Sequence, residues 1–226
     1  MTICVLIAAF DEASTIASVV EGARRHVPDV VVVDDGSADA TAEIAERAGA
    51  VVLRHGTNRG KGRALRTGLA HVLSRPYTHV LLMDADLQHD PADIPRLIEK
   101  ARSGAGDFVL GERPFVRETM PASRFYTNTI SSAVISRFFV GTRVADAQSG
   151  FRLIRTSLLK DLRLTGRGYE IETEMLIKLR RSGARLERTT VRLKYDGSRS
   201  RLRPIRDTTR TCFLAVRYRF FPERWA

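Results

Sequence analysis

The sequence predicts a doubly wound α/β fold built on a mostly parallel sheet. Three observations carry this expectation. Strand-like and helix-like segments alternate through the first half of the chain. Two of the strand-like runs, Val30-Val31-Val32-Val33 and Val80-Leu81-Leu82-Met83, are continuously apolar, as strands buried on both faces are. These runs also end in acids or small residues, at the carboxyl edge where open α/β sheets bind ligands.

Taken in order, Ile3–Ala9 reads as a buried strand ending in Ala8-Ala9-Phe10-Asp11-Glu12, followed by a helix over Thr15–His26. A second strand over Val30–Asp34 runs into Asp34-Asp35-Gly36-Ser37, and Asp39 with Thr41 can start a helix over Ala42–Ala48. Ala50–Arg54 is expected as a strand, Lys61–Leu73 as a helix and His79–Asp84 as a strand. Asp90-Pro91, ahead of Ile94, Leu97 and Ile98, is a start signal for a helix over Asp93–Arg102, and Asp107–Leu110 is the next strand. The second half is less regular. A helix is expected over Ala122–Phe139 with Ile130, Val134, Ile135 and Phe138 on one side, and another over Glu170–Ser182 with Ile171, Met175, Leu176 and Leu179 inward. A strand over Leu186–Leu193 and a last helix over Ile205–Phe221 complete the set. Thr119–Arg124 and Asp196–Pro204 are polar or contain proline, and are expected as loops near the site. No internal repeat, low-complexity tract or linker interrupts the chain.

Asp84-Ala85-Asp86 is the most informative segment. Side chains at i and i+2 come together at a turn, and two carboxylates with the side-chain carbonyl of Gln88 nearby make an all-oxygen set suited to Mg²⁺ or Mn²⁺. The competing reading is an acidic loop that caps the next helix. Asp90 serves that purpose, and a cap does not need Asp84 and Asp86 as well. With Asp34-Asp35 and Asp11-Glu12 at two neighbouring strand ends, the three segments together predict a nucleotide and metal site.

Gly56-Thr57-Asn58-Arg59-Gly60-Lys61-Gly62 invites a phosphate-loop reading but fails on spacing. A Walker A loop has four residues between its glycines and a Ser or Thr after the lysine, whereas here there are three and Gly62 follows. A dinucleotide fingerprint fails too, because the third glycine is missing and the segment does not follow the first strand. What remains is a helix N-terminus with free N–H groups and Lys61, which suits an anion.

Composition narrows the classes. The chain has 226 residues, room for one sizeable core, and 43% hydrophobic residues, ordinary for a soluble domain. No apolar run approaches the roughly 20 residues that span a bilayer. Thr2-Ile3 lead straight into a strand, so no signal peptide is expected, and Cys4 and Cys212 predict a reduced compartment without a disulfide framework. The formal net charge of +11 fits nucleic acid, anionic lipid or phosphorylated substrates as partners. From Arg199 to Ala226 there are eight arginines and two acids, mixed with Phe213, Leu214, Val216, Tyr218, Phe220, Phe221 and Trp225. That pattern suits a helix on an anionic membrane, or a helix packed on the core with a solvated basic face. Nucleic acid is disfavoured, since no nucleic-acid module is present.

Seven segments carry a family resemblance: IAAFDEASTI (7–16), VVVDDGSADAT (31–41), NRGKGRALRTG (58–68), LLMDADLQHDP (81–91), DAQSGFRLIR (146–155), GYEIETEML (168–176) and KYDGSRS (194–200). In this order they resemble the family 2 glycosyltransferases of GT-A fold, and within them the dolichol- or polyprenyl-phosphate sugar synthases. One departure is Ala8-Ala9-Phe10-Asp11, where the family usually has Pro-Ala-Tyr-Asn; Asp11 is isosteric with Asn but charged.

The resemblance implies an inverting transfer of a hexose from a nucleoside-diphosphate sugar, UDP- or GDP-linked, to a polyprenyl phosphate. It implies a catalytic domain over residues 1–204 and a basic C-terminal helix over 205–226. The metal is expected on Asp84, Asp86 and Gln88, and the nucleotide among Ala8, Phe10, Asp11, Glu12, Asp35, Lys61 and Asp84. Arg113 occupies the slot of a family arginine after the fifth strand, and Arg124 and Asn128 that of an arginine and a small polar residue on the next helix. Both arginines are expected to bind the acceptor phosphate and to act in catalysis with Asp86. Asp146, Gln148 and Ser149 fall on a segment that faces the sugar, and Arg152, Lys194 and Arg199 are expected along the acceptor pocket. Glu174 is either a partner for one of these cations or an exposed helix acid. The protein is expected in the cytoplasm, peripheral at the membrane, with a homo-oligomer or a membrane partner protein possible. Three other readings compete: a family 2 enzyme that glycosylates a hydroxyl, a sugar nucleotidyltransferase, and a non-enzymatic basic membrane or RNA adaptor. The first needs a carboxylate base, and Arg224-Trp225 lacks the Gln-x-x-Arg-Trp spacing of processive members. The second lacks its glycine-rich N-terminal signature. Intact Asp84, Asp86 and Gln88 argue against the third.

Overall fold

A computed structural model describes residues 1–192 apart from 105, 116, 118, 119 and 121 and the side chains of Ser123 and Arg124. Lys194, Arg199, the end of the last expected strand, the loop over 196–204 and the basic C-terminal segment lie outside the described residues.

Among the described residues, seven strands form one sheet: β1 (Ile3–Ala9), β2 (Val30–Asp34), β3 (Val51–Arg54), β4 (His79–Asp84), β5 (Phe108–Glu112), β6 (Arg152–Arg155) and β7 (Leu186–Thr190). Their order is β3-β2-β1-β4-β6-β5-β7, and only β6 runs antiparallel to its neighbours. The helices are α1 (Ile16–Arg24), α2 (Thr41–Arg47), α3 (Lys61–Leu73), α4 (Ile94–Arg102), α5 (Ala122–Ile135) and α6 (Glu170–Arg181). None of the described helices is long and apolar enough to cross a membrane. This is the GT-A architecture, a mostly parallel sheet covered by helices.

Side chains alternate across the strands, and both faces are apolar, as the continuous Val and Leu runs require. Cys4, Leu6, Val31, Val33, Val80 and Leu82 pack on the side of α3 and α6. Val5, Ile7, Val30, Val32, Leu81 and Met83 pack on the side of α1 and α4. The chain winds from β1 through β2 to β3 on one side, then returns with β4 on the other side of β1. That reversal leaves a crevice beyond the carboxyl ends of β1 and β4, where Ala8 pairs in register with Asp84.

Local chemistry starts the helices that flank the crevice. Asp90 accepts from the Ala92 N–H at 3.0 Å and, with Pro91, begins a single 3₁₀ turn that continues into α4. Before α3, Gly60 has φ of 93°, a left-handed conformation that glycine adopts without a Cβ penalty.

The structure departs from expectation in three places. Strand β6 was not anticipated: it is four residues long and begins with Arg152, a side chain atypical of a buried strand. Strand β7 ends at Thr190, short of the expected Leu193. Helix α5 is present and continues as a π-helical turn over Ser136–Val140, but most of its expected core side faces out. Ile130, Val134 and Phe138 are exposed, and only Ile135 of that set is buried. Serines explain the inversion. The Ser136 hydroxyl donates to the Val144 carbonyl at 3.1 Å and accepts from the Val144 N–H at 2.8 Å, and the Ser132 hydroxyl accepts from the Ala147 N–H at 3.1 Å. Three polar contacts thus dock the serine side on the loop that follows.

Arg152 is fully buried, so it is a structural cation and not the expected acceptor ligand. Its Nε, Nη1 and Nη2 donate to the carbonyls of Ser149 at 2.7 Å, Glu172 at 2.5 Å and Ala147 at 2.9 Å. Burial pushes its pKa down to about 10, so it remains a cation at neutral pH. Hydrogen bonds from charged groups contribute roughly 1.5–3 kcal/mol each, and orphaned buried carbonyls carry a further penalty. Arg152→Met is therefore expected to lower unfolding free energy by about 3 kcal/mol or more in urea titration; a loss below about 1 kcal/mol contradicts this assignment.

Candidate active site

The centre of the crevice is a buried cluster of charges. Lys61, at the start of α3, points its Nζ at Asp84 Oδ1, 2.5 Å away at the end of β4, and at Glu172 Oε1, 2.6 Å away in α6. The Tyr169 ring lies against the same ammonium, 5.1 Å from centroid to Nζ. Burial opposes the charges on Asp84 and Lys61, but each stabilises the other. The Lys61 ammonium holds the Asp84 carboxyl down at about 2, and Asp84 and Glu172 raise the Lys61 pKa. Burial wins at Glu172, whose pKa is pushed up. Lys61, expected beside the nucleotide, is thus bound to protein carboxylates. Glu172 is not among the residues the sequence points to, because only the fold brings this acid of α6 to Lys61.

Asp86 stands on the opposite footing. Burial and the negative charge of Asp84 both push its pKa up, and the Gln88 N–H donates to its Oδ1 at 3.1 Å. Among the described residues no three His, Cys, Asp or Glu side chains gather into a metal-binding group. The residues nevertheless fit a hard divalent cation that takes one or two carboxylates and completes its shell with substrate phosphates and water. Asp84, Asp86, Asp146 and Glu172 bring four carboxylates, against the cations Lys61, Arg113 and Arg152 that act on them. Among the described residues Asp86 forms no ion pair, and Lys61 and Arg113 act on it only at longer range, so an added positive charge is stabilised beside it. Gln88 differs from expectation: its Oε1 accepts from Arg113 Nη1 at 3.2 Å.

Arg113 follows β5 and is gripped on one edge. Its Nε donates to Asp146 Oδ2 at 2.6 Å and its Nη2 to Asp146 Oδ1 at 3.3 Å. Burial disfavours its charge, but the Asp146 carboxylate more than offsets this and raises its pKa. A guanidinium has five N–H groups, so among the described residues the Asp146 and Gln88 contacts leave further donors on its terminal nitrogens. Asp146 is fully buried, so its role is to hold Arg113 and not to face the sugar itself. Ser149 is fully buried as well; its hydroxyl donates to the Gly111 carbonyl at 2.6 Å and accepts from the Phe151 N–H at 3.2 Å. Gln148 and Asn128 are half-buried, and Arg124 lies in the first turn of α5.

The wall on the β1 side is made of turns that brace one another. Asp11, in a left-handed conformation with φ of 49°, donates its N–H to Ser37 Oγ at 2.8 Å and accepts from the Ala38 N–H at 2.7 Å. The Glu12 N–H donates to Thr41 Oγ1 at 2.7 Å. Asp35 is buried, bonded to His55 Nδ1 at 2.6 Å and accepting from the N–H groups of Arg59 at 3.0 Å and Gly60 at 2.7 Å. Asp35 therefore shapes the turn before α3, a role its position in the sequence did not reveal. Ala8, Phe10, Asp11 and Glu12 are half-buried beside it. Glu174 is buried and not an exposed helix acid: it accepts from the N–H groups of Thr165 at 2.9 Å and Gly166 at 2.7 Å, and pairs with Lys178 at 3.5 Å.

A GT-A sheet with an acid cluster at its switch point defines the class as a sugar-nucleotide transferase fold. Residues 4–163 match the model for Glycosyl transferase family 2, and the chain belongs to that family. It is similar to "Glycosyltransferase AglJ" of Haloferax volcanii, with 34% identity over 91% of this chain and 68% of that protein. It is also similar to "Undecaprenyl-phosphate mannosyltransferase" of Micrococcus luteus, with 31% identity over 82% of this chain and 81% of that protein. The fold is shared with glucosyl-3-phosphoglycerate synthase from Mycobacterium tuberculosis in complex with Mn²⁺, UDP-glucose and phosphoglyceric acid. That match has a TM-score of 0.75 and 21% identity, over 96% of this chain and 79% of that one.

Gly150 guards the centre of the cluster. A Cβ added there would lie 2.6 Å from Asp84 Oδ2, closer than real Cβ contacts come. Gly150→Ala is expected to displace Asp84 and cut sugar-nucleotide turnover about ten-fold or more, in a variant that melts at a lower temperature but still unfolds cooperatively. Normal turnover in a folded variant contradicts a role for the Asp84 position.

Proposed function

We propose that this protein transfers a hexose from a nucleoside-diphosphate sugar to a polyprenyl phosphate, with inversion at the anomeric carbon. The observation that carries the reading is Arg113, held by Asp146 and Gln88, whose bonds to the described residues leave donors over. Arginine forks match phosphate oxygens in a bidentate manner. The similarity to an undecaprenyl-phosphate mannosyltransferase supports the same acceptor class.

The state of the carboxylates supports it further. Asp84 and Glu172 are bound to Lys61, and Asp146 to Arg113. A hydroxyl acceptor needs a free base, and Asp86, the cluster's acid without an ion pair among the described residues, is assigned here to the metal. A phosphate oxygen is already anionic at neutral pH and needs positioning and charge neutralisation instead. Arg113 supplies both, with Arg124 and Asn128 assigned to the same acceptor on α5. The nucleotide is assigned to the wall formed by Ala8, Phe10, Asp11 and Glu12 against the turn that Asp35 shapes. Asp86, with Asp84, would hold Mg²⁺ or Mn²⁺, which when bound offsets the charge developing on the diphosphate leaving group. Lys61 keeps Asp84 ionised for that purpose.

The test separates donor from acceptor. Losing a charged hydrogen-bond partner costs roughly 1.5–3 kcal/mol, equivalent to about a ten- to hundred-fold change. Arg113→Ala is expected to weaken acceptor use by that factor in steady-state kinetics with a polyprenyl phosphate, while nucleotide binding measured by calorimetry stays near wild type. An equal loss in both assigns Arg113 to the nucleotide diphosphate or to the fold, and transfer to a hydroxyl acceptor alone contradicts the reading.

A further inference from the structure

A separate cavity lies at the edge of the sheet opposite the crevice. It has a volume of about 430 Å³ and lies between the turn that joins α3 to β4 and the turn that follows β6. His79 and Arg155 stand side by side in its lining, because they are register partners at the first position of β4 and the last of the antiparallel β6. Arg75 and Thr78 line it from the turn before β4, and Ser157 and Lys160 from the segment after β6. Strand β4 runs from His79 to Asp84, so at about 3.3 Å per residue the cavity stands roughly 16 Å from the acid cluster.

The lining indicates what the cavity takes. It carries three permanent cations, Arg75, Arg155 and Lys160, and no Asp or Glu. Asp107 reaches Arg155 only at 3.8 Å and holds Arg185 more closely, at 3.2 Å. Among the described residues Lys160 makes no ion pair, and the Arg75 guanidinium donates to the His71 carbonyl at 3.3 Å, which leaves further donors. Burial and the charge of Arg155 hold the His79 pKa at about 4, so this imidazole is neutral at neutral pH and a further proton is opposed. Guanidinium forks match phosphate oxygens in a bidentate manner, and an ammonium adds a point charge. Leu73, Pro76 and Tyr77 supply an apolar wall beside the cations. The volume falls in the range of small-molecule sites, roughly 300–1,000 Å³.

We propose that this cavity binds a small soluble phosphorylated molecule, with its phosphate among Arg75, Arg155 and Lys160 and its organic part against Leu73 and Tyr77. The site is distinct from the crevice and goes beyond the transfer reaction proposed above. It is nevertheless built on the same two elements: α3 and β4 carry Lys61 and Asp84 at one end and reach the cavity with Leu73 and His79 at the other. The headgroup of an anionic lipid presents the same phosphate chemistry, and the experiment separates that source from a soluble one.

The experiment is NMR of the His79 ring in the full chain, its signals assigned by their loss in His79→Gln, titrated with inorganic phosphate and with phenyl phosphate at constant ionic strength. Both are expected to shift these signals saturably, with a Kd of about 1 mM or tighter for phenyl phosphate and a weaker one for inorganic phosphate. Lys160→Glu and Arg155→Ala are each expected to weaken binding about ten-fold or more, since each removes a charged hydrogen-bond partner. Lys160 is exposed and the Arg155 side chain partly so, and both variants should fold. Sugar-nucleotide turnover should hold as well, because neither residue belongs to the crevice. The absence of a saturable shift in the wild type overturns the proposal, as does phenyl phosphate that binds no tighter than inorganic phosphate. An equal shift in both variants would place the phosphate elsewhere and overturn it too. Sedimentation with phosphatidylglycerol vesicles that Lys160→Glu abolishes, without a response to either soluble phosphate, would make the cavity a lipid contact and overturn it as well.

Discussion

Lys61, enclosed between Asp84 and Glu172, is the contact on which the crevice depends. It joins the start of α3, the end of β4 and the first turn of α6, three elements that approach one another only at the carboxyl edge of the sheet. Taking three charges out of water is costly, and mutual attraction repays it only with short contacts and further partners. The distances of 2.5 and 2.6 Å and the Tyr169 ring supply these. The turn that aims Lys61 is in turn built by Asp35, which collects the N–H groups of Arg59 and Gly60.

The sheet topology converts this local chemistry into a site. Strands β1 and β4 are neighbours, yet their connections leave in opposite directions, so no crossover covers the crevice between their carboxyl ends. The antiparallel β6 brings Gly150 against Asp84, and the segment before it brings Asp146 to Arg113. Paired charges therefore line two sides of Asp86, and Asp86 is left as the acid best placed to use a cation from outside the chain.

The first half of the fold was legible because its signals are local. Four-valine and Val-Leu-Leu-Met runs specify doubly buried strands, and Asp90-Pro91 specifies a helix start. Family membership was legible through motifs whose residues lie within ten positions of one another. What escaped depends on long-range contact. A four-residue strand opening on Arg152 is unreadable until its three carbonyl partners are known. The apolar side of α5 reads as core until the serine contacts to residues 144–147 turn it outward. Asp35, Asp146 and Ser149 stand at motif positions that suggest substrate contact, but burial makes them supports for the residues that face the crevice. Glu172 gives no signal beyond one more acid in a helix, because its meaning lies in Lys61, far away in the chain.

A double-mutant cycle over Lys61→Met and Glu172→Gln, read by urea unfolding, tests the central contact most directly. Residues in a shared buried ion-pair network couple by roughly 0.5–3 kcal/mol. The account predicts a coupling of about 1 kcal/mol or more, with the double variant more stable than the two single losses would add up to. Additive losses, with coupling near zero, would mean that Lys61 and Glu172 act independently and that the crevice is organised by something else.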